Sequence, residues 1–286
     1  MRVAFLGPEG TFSEEALLAS PHGQDAEPVP QATIFDCVMA VQEGSADRAL
    51  VPIENSLEGS VNATIDAMLF EATDVEIVGE LVHPIRHSLI AHSPLELEAI
   101  ERVLSHPQAS GQCRRFLRER LPGAEVVPAD STADAVRIVA REERPWAALG
   151  PRLAAELYGG KVLLEGVEDR PDNETRFALL AKSKQDTSGW TGYAPRDPGP
   201  WKTSIAFWGL PDAPGSLVSA LQEFATRGVN LSRIESRPRR QGLGRYIFFA
   251  DLEGHVSEKP IFDALEAIRS TAEALRVLGC YPAAGS

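Results

Sequence analysis

The chain has 286 residues, and its hydrophobic fraction of 43% and charged fraction of 24% are typical of globular proteins. This length suggests two domains. With 28 Lys and Arg against 41 Asp and Glu, the formal net charge is -13, which argues against nucleic acid or an anionic membrane as a partner. Residues 1–201 carry a net charge of -14 and residues 202–286 a net charge of +1, so the two parts differ in kind.

The cysteine pattern and the N-terminus favour a cytoplasmic protein. Cys37, Cys113 and Cys280 have neither zinc nor disulfide-framework spacing, and we interpret them as buried thiols in a reducing compartment. The apolar run at the N-terminus is too short for a signal peptide. No segment approaches the ~20 apolar residues that span a bilayer.

Strands and helices alternate over the first 70 residues, as in an α/β sheet. A buried strand is predicted at 2–6. Thr11 and Glu14 have the spacing of a capping box that opens a helix through about residue 19. Apolar spacing predicts further helices around 34–41 and 61–69 and a strand at 48–53.

The next hundred residues repeat this alternation. The pattern is extended over 75–91, with a break near His83-Pro84. Strands are then predicted at 102–104, 125–127, 147–149 and 176–181, and helices at 108–121 and 132–142. Two α/β lobes joined by segments 80–91 and 175–182 fit this order, with a cleft near the carboxyl ends of the strands.

A Gly- and Pro-rich stretch at 183–201 reads as a linker. After it come a strand at 203–208, a helix opening at Gly215 and closing at Gly228, and two strands at 230–236 and 245–252 around a turn at 241–244. A helix near 261–268 and a strand at 274–279 complete a βαββαβ, ferredoxin-like unit. The predicted domains are 1–182 and 202–286, with 183–201 between them.

Four motifs lie where a strand meets a loop, so they could converge in one cleft. Residues 7–13 join two glycines to a helix N-terminus, which suits an anion. Asn55 and Ser56 could bind a carboxylate or a hydroxyl, or serve only as turn and cap residues. His106 is more often a surface or capping histidine than a catalyst. Thr175-Arg176 suits hydroxyl and carboxylate recognition, or Arg176 faces outward.

A fifth motif lies in the small C-terminal unit. The turn at Gly215 would present backbone N–H groups beside Asn230. Such a cradle suits the zwitterionic end of an amino acid, although a simple packing module would also fit.

The whole chain resembles the prephenate dehydratase family with a C-terminal ACT domain. The stretches that carry the resemblance are GPEGTFSEEA, PIENSLEG, SHPQ, NETRF and, in the small unit, ESRP. Ser216 and Ser232 depart from the family pattern, where alanine and threonine are common. No helical chorismate mutase segment precedes the first strand, so we expect a monofunctional enzyme.

The resemblance implies an α/β fold: a two-lobed catalytic domain with a cleft, like a type II periplasmic binding protein, followed by an α+β ferredoxin-like ACT domain. It implies a hydro-lyase that converts prephenate to phenylpyruvate, water and CO2, with feedback control by L-phenylalanine. No metal or organic cofactor is expected. The expected partners are prephenate, L-phenylalanine and a second copy of the chain, in a homodimer or homotetramer.

The resemblance also implies roles for single residues. Thr175 would hydrogen-bond the leaving hydroxyl, Arg176 would bind a carboxylate, and Phe177 would pack beside the ring or in the core. The remaining substrate-binding candidates are Thr11, Asn55, Ser56, Gly59, His106 and Gln108. Glu54 and His106 are candidate proton sources. The candidate allosteric residues are Gly215, Ser216, Leu217, Asn230, Leu231, Glu235, Ser236, Arg237 and Pro238.

Two other functions remain open at this point. A solute-binding or effector-sensing module could use the same two-lobed architecture. The related enzyme arogenate dehydratase would form phenylalanine directly.

Overall fold

The computed structural model describes residues 1–21, 23, 25–183, 199–240 and 244–284. These residues form two compact units. The first unit holds Met1–Ala72 and Leu81–Phe177, and the second holds Thr73–Glu80 and the described residues from Ala178 onward. Most of the predicted linker at 183–201 and of the predicted turn at 241–244 lies outside the described residues. Within the described ranges, no helix has the length and apolar character needed to cross a membrane.

The first lobe of the first unit is built around a parallel sheet. Its elements are β1 (Arg2–Leu6), α1 (Phe12–Ala19), β2 (Glu27–Gln31), α2 (Ile34–Glu43), β3 (Arg48–Asn55), β4 (Gly59–Ser60), α3 (Asn62–Phe70) and the end of β5 (Val75–Pro84). β1 lies between β2 and β3 and runs parallel to both. The sequence did not predict β2 because it contains Pro28 and Pro30, which a strand tolerates mainly at a sheet edge, where β2 lies.

The second lobe is a five-stranded mixed sheet with helices on both faces. Its elements are β6 (Ser88–Ala91), a 3-10 turn (Leu97–Ala99), β7 (Arg102–Ser105), α4 (Pro107–Gln112), α5 (Arg114–Arg120), β8 (Glu125–Pro128), α6 (Thr132–Arg141), β9 (Trp146–Gly150), α7 (Arg152–Tyr158) and β10 (Lys161–Glu165). The strand order is β10-β6-β9-β7-β8. α7 and β10 are short and were not predicted from the sequence.

Alternating side chains in this sheet supply two separate cores, as the period of two along a strand requires. Leu89, Val103 and Leu149 pack with Leu117 of α5 on one face. Their neighbours in the strands pack on the other face against α6 and α7.

The single helix predicted at 108–121 is wrong. Two helices occupy this stretch, and Cys113 separates them with φ -109° and ψ 19°. This break leaves Gln112 at the end of α4, where its side chain enters the cleft region described below.

The chain passes between the lobes at 85–87 and 168–173. The two segments lie side by side, since Ile85 N donates to Asn173 O at 2.8 Å. The carboxyl ends of β1 and β3 in the first lobe carry residues 7–11 and 55–58, and the carboxyl end of β7 leads into His106. Tyr158 also joins the lobes, by donating from its hydroxyl to Glu9 O at 2.8 Å.

The second unit confirms the predicted βαββαβ order. After β11 (Glu174–Lys182), which begins in the first unit, come β12 (Trp201–Trp208), α8 (Ser216–Ala225), β13 (Leu231–Pro238), β14 (Tyr246–Glu253), α9 (Lys259–Thr271) and β15 (Ala274–Pro282). The strand order in this unit is β13-β14-β12-β15-β5-β11. Phe207 and Phe224 lie in its core with the apolar faces of both helices.

The second unit therefore includes a strand segment distant in sequence. Gly279 of β15 pairs with Ile77 of β5, and a Cβ on Gly279 would clash with Ile77 O, so this contact requires glycine. Lys202 of β12 donates to both carboxylate oxygens of Glu80, at 2.7 and 2.9 Å. The side chains of Lys202 and Glu80 are only 14% and 4% exposed.

The interpretation of the cysteines as buried thiols is confirmed. Cys37, Cys113 and Cys280 are all free and buried. Burial raises the pKa of the Cys37 thiol to about 12, so this thiol is protonated at neutral pH and is a poor nucleophile.

The buried Lys202–Glu80 pair generates a stability prediction. Lys202→Met leaves the Glu80 carboxylate buried without its cation, which typically costs about 3 kcal/mol. For a chain of this size we expect Tm to fall by about 5 °C in calorimetry.

The matched control is Lys259→Met. Lys259 also pairs with a carboxylate, Asp263, but these side chains are 84% and 40% exposed. We expect Tm to change by less than about 2 °C. Equal shifts for the two variants would show that burial does not govern the Lys202 contact.

Candidate active site

The side-chain amide of Asn55 is the centre of a hydrogen-bonded cluster at the end of β3. Its Oδ1 accepts from the backbone N–H groups of Leu57 and Glu58 at 3.0 and 3.1 Å. Its Nδ2 faces three oxygens: Asn173 Oδ1 at 2.9 Å, Glu174 O at 3.1 Å and Thr175 Oγ1 at 2.9 Å. The amide orientation is therefore fixed, because backbone N–H groups can only donate to the oxygen end.

Thr175 lies next to Asn55 at the start of β11 and is 7% exposed. Its hydroxyl oxygen accepts from Asn55 Nδ2, which cannot in turn accept a hydrogen bond. No described residue accepts the hydroxyl proton of Thr175. That proton is therefore available to an acceptor bound in the cleft.

Gln112 joins the second lobe to this cluster. Its Nε2 donates to Glu58 Oε1 at 3.1 Å, and its Oε1 accepts from Asn173 Nδ2 at 3.1 Å. His87 Nε2 also lies 2.9 Å from Gln112 Oε1. Both lobes and both crossing segments thus meet at a single amide side chain.

Ser56 and Gly59 shape the turn after β3. Ser56 N donates to Glu174 O at 2.9 Å, and Glu174 N donates to Ser56 Oγ at 3.0 Å. Gly59 adopts φ +81°, and no atom lies within 4 Å of a Cβ built there. Gly59 is therefore required by backbone conformation and not by close contact.

Thr11 occupies the N-cap position of α1, but the predicted capping box is wrong. Its hydroxyl donates to Leu6 O at 2.9 Å and does not cap the helix. Glu14 instead accepts from Gly10 N, one residue before the N-cap. Phe12, the first residue of α1, packs edge-on against the His87 ring with centroids 5.1 Å apart.

His106 caps a helix, which is one of the two roles that its sequence position allows. It is the N-cap of α4, and Gln108 N donates to its Nδ1 at 3.3 Å. The side chain of Gln108 is exposed. Neither of these two predicted residues makes a side-chain hydrogen bond to Asn55 or Thr175 in the described structure.

Arg176 and Glu54 form a second pair of neighbours across β3 and β11. Arg176 Nε lies 3.4 Å from Glu54 Oε2, and the Arg176 side chain is 12% exposed. Because side chains alternate along a strand, this pair lies on the sheet face opposite Asn55 and Thr175. Phe177 lies on the same face as Thr175, but it is 2% exposed and belongs to the core.

The predicted allosteric residues lie at the surface or edges of the second unit. Ser216 and Leu217 line a cavity of about 610 Å³ together with Asp212, Arg239, Tyr246 and Glu273. The Arg239 guanidinium binds both oxygens of Glu273 there and lowers the pKa of that carboxyl. The other candidates do not line this cavity; they are Gly215, Asn230, Leu231, Glu235, Ser236, Arg237 and Pro238.

Sequence reasoning missed four members of the cluster: Asn173, Gln112, Glu58 and His87. Asn173 and Glu58 stand inside the quoted motifs NETRF and PIENSLEG, so their positions were visible but their roles were not. Gln112 stands six residues after His106, and nothing in its spacing distinguished it. His87 follows an extended segment that was treated only as a connection between lobes.

No group of three or more His, Cys, Asp and Glu side chains within the described ranges is arranged to hold a metal ion. The polar atoms around Thr175 come mainly from amides and hydroxyls. Such groups suit hydrogen bonding to oxygen atoms of a small polar molecule.

Comparison with known proteins shows which family this chain belongs to. The family model for prephenate dehydratase matches residues 3–185, and the model for the ACT domain matches residues 203–270. A prephenate dehydratase of Mycobacterium sp. (strain JLS) is 40% identical over 98% of this chain and 89% of its own length. A bifunctional chorismate mutase/prephenate dehydratase of Aquifex aeolicus is 39% identical over 99% of this chain and 74% of its own length.

Solved structures agree with this match over the full chain. Prephenate dehydratase from Arthrobacter aurescens in complex with L-Phe has a TM-score of 0.88 at 39% identity, covering 99% of this chain and 90% of its own. A protein described as GqqA, a novel type of quorum quenching acylase, has a TM-score of 0.86 at 33% identity and covers 99% and 98%. This chain therefore belongs to the prephenate dehydratase family and carries an ACT domain.

Proposed function

We propose that the cleft of this prephenate dehydratase converts prephenate to phenylpyruvate, with Thr175 donating a hydrogen bond to the hydroxyl that leaves the ring. The observation that carries this assignment is the direction of the Asn55–Thr175 hydrogen bond. Since Asn55 Nδ2 occupies an acceptor position of the Thr175 oxygen at 2.9 Å, the Thr175 proton is left for the substrate.

The bond changes define what the cleft must supply. The C–O bond of the ring hydroxyl breaks with its electron pair, while the C–C bond to the ring carboxylate gives its pair to the ring. Carbon dioxide and an aromatic ring form, and the departing oxygen needs one proton to become water. A hydrogen bond from Thr175 stabilises negative charge on that oxygen, and such a donor is typically worth about 10²–10³-fold in kcat.

Thr175 by itself is too weak an acid to supply that proton at neutral pH. We propose that it polarises the leaving oxygen or relays a proton from another group. Glu54 and His106 remain the candidate sources from the sequence. The capping of α4 by His106 and the face on which Glu54 lies give neither residue additional support.

The substrate is a dianion, and the domain that binds it is acidic. We propose that its carboxylates are held by the N-terminal backbone N–H groups of α1, next to Thr11, and by the polar turn at Ser56. Arg176 is the carboxylate anchor expected from the sequence, but its contact with Glu54 and its position on the face opposite Thr175 give that role no additional support.

We further propose that L-phenylalanine regulates the enzyme through the ACT domain, as feedback by a later product. The complex of the Arthrobacter relative with L-Phe supports this assignment. For inhibition, the effector must bind a low-activity state more tightly than the active one. We expect a homodimer or homotetramer in the cytoplasm, since such domains usually pair between subunits.

The first test is the identity of the product. Purified protein is incubated with prephenate or arogenate, and phenylpyruvate and phenylalanine are quantified. We expect phenylpyruvate from prephenate as the faster reaction. Faster formation of phenylalanine from arogenate would reassign the substrate, and no product from either would favour a binding module.

The second test separates the Thr175 hydroxyl from the rest of its side chain. Thr175→Ala removes the donor, and we expect kcat to fall about 10²-fold or more while KM changes less than about threefold. Thr175→Ser keeps the hydroxyl, and its kcat is expected to stay within about tenfold of the parent. An unchanged kcat in Thr175→Ala would remove Thr175 from the mechanism.

The third test addresses regulation. Titration calorimetry of the intact protein is expected to show saturable binding of L-phenylalanine, with D-phenylalanine as the matched ligand that binds more weakly. Asn230→Ala is expected to weaken L-phenylalanine binding at least tenfold, because the Asn230 side chain is exposed and is expected from the sequence to lie beside the Gly215 turn. Absence of binding to the parent protein would contradict the regulatory proposal.

A further inference from the structure

His87 lies in the crossing segment 85–87, where its backbone and its ring both contact neighbouring residues. Its backbone N–H donates to Glu168 Oε2 at 2.9 Å, and its carbonyl accepts from Val167 N at 3.0 Å. Its ring packs edge-on against Phe12. The residue is 2% exposed, so its ring has little freedom to choose other partners.

The neighbouring groups determine which nitrogen of His87 carries a proton. The Glu58 carboxylate accepts from Gln112, so the NH2 group of Gln112 faces Glu58 and its Oε1 faces His87. Asn173 donates to the same Oε1. An amide oxygen only accepts, so His87 must donate to it from Nε2–H.

The second ring nitrogen is in a different situation. His87 Nδ1 is buried and has no hydrogen-bond partner among the described residues. Burial also lowers the pKa of His87, although Gln112, Glu168 and Glu15 act in the opposite direction. A second N–H on this ring would be buried without an acceptor, so the neutral ring with the proton on Nε2 is favoured.

From this ring a continuous chain of hydrogen bonds reaches the reacting group. His87 Nε2 and Asn173 Nδ2 share Gln112 Oε1, and Asn173 Oδ1 accepts from Asn55 Nδ2, which also donates to Thr175. Each link is 2.9 to 3.1 Å long. If the Gln112 amide were rotated by 180°, its NH2 group would face the NH2 group of Asn173. The hydrogen bonds from Asn173 to Asn55 and from Asn55 to Thr175 would then be disturbed.

We propose that His87 is a positioning residue for catalysis, whose Nε2–H fixes the Gln112 amide and, through Asn173 and Asn55, the direction of the Thr175 hydroxyl. The inference rests on the proposed role of Thr175. It assigns His87 no contact with substrate. It predicts that the effect of His87 on turnover is transmitted through Thr175 and not through general stability.

The test uses two substitutions that differ in one property. Glutamine can place an amide N–H close to the position of the histidine Nε2, whereas methionine fills similar space without a donor. We expect His87→Met to lower kcat about 10–100-fold, with KM changed less than about threefold, because small displacements of a reacting group have costs of this size. His87→Gln is expected to recover most of the loss.

His92 provides the matched control, since it directly follows β6 whereas His87 directly precedes it. Its Nδ1 lies 2.7 Å from Ala140 O, outside the chain of amides. We expect His92→Met to leave kcat within about twofold of the parent. Equal losses in His87→Met and His87→Gln would overturn the proposal, as would an equal loss in His92→Met.

A double-mutant cycle distinguishes positioning from a purely structural effect. In a Thr175→Ala background, His87→Met is expected to change kcat less than threefold, because the hydroxyl that it orients is gone. Independent effects that multiply would overturn the proposal. If Thr175→Ala itself leaves kcat unchanged, the proposed function of Thr175 fails, and that result is separate from the His87 comparison.

A measurement on the parent protein keeps the proposal testable if His87→Met does not fold. Nitrogen-15 spectra of histidine-labelled protein report the protonation of each ring nitrogen. For the His87 ring we expect a protonated Nε2 and an unprotonated Nδ1 at neutral pH. The reverse assignment, or a ring protonated on both nitrogens, would overturn the inference.

Discussion

The polar organisation of the cleft depends on one side-chain amide whose two ends cannot be exchanged. Asn55 Oδ1 is held by two backbone N–H groups, and those groups have no alternative but to donate. The NH2 end then has two hydrogens for three oxygens, one of which belongs to Thr175. A hydroxyl is normally free to rotate, but here its environment leaves it one useful direction. Preorganisation of this kind avoids reorganisation during the reaction.

The sequence predicted the architecture better than the contacts. The strand at Arg2–Leu6 and the βαββαβ unit follow from local periodicity, which is a property of neighbouring residues. The roles of Gln112 and His87 arise because α4 ends at Cys113 and the crossing segment brings Ile85 beside Asn173. Contacts between segments that are distant in sequence cannot be recognised from the spacing of residues. The capping box predicted at Thr11 and Glu14 was also wrong, since the Thr11 hydroxyl donates to Leu6 O and Glu14 accepts from Gly10 N.

The acidic character of the first 201 residues extends into the cleft. Glu54 and Glu58 both lie close to the cluster, and Glu54 faces the nearby guanidinium of Arg176. The net charge of this part does not favour attraction of a dianion, so the proposed site depends on hydrogen-bond donors at short range. Neutral amides have a further advantage here, because they do not titrate and so keep their geometry over a wide pH range.

Strands β5 and β11 each contribute residues to both compact units. The stretch Thr73–Glu80 falls within the part of the sequence that matches the dehydratase model, yet it folds with the ACT strands and supplies the carboxylate that Lys202 neutralises. A division of the chain at a single sequence position therefore does not separate the two compact units. Exchange of the ACT domain alone would therefore leave the β5 segment without its partner strand and Glu80 without its cation.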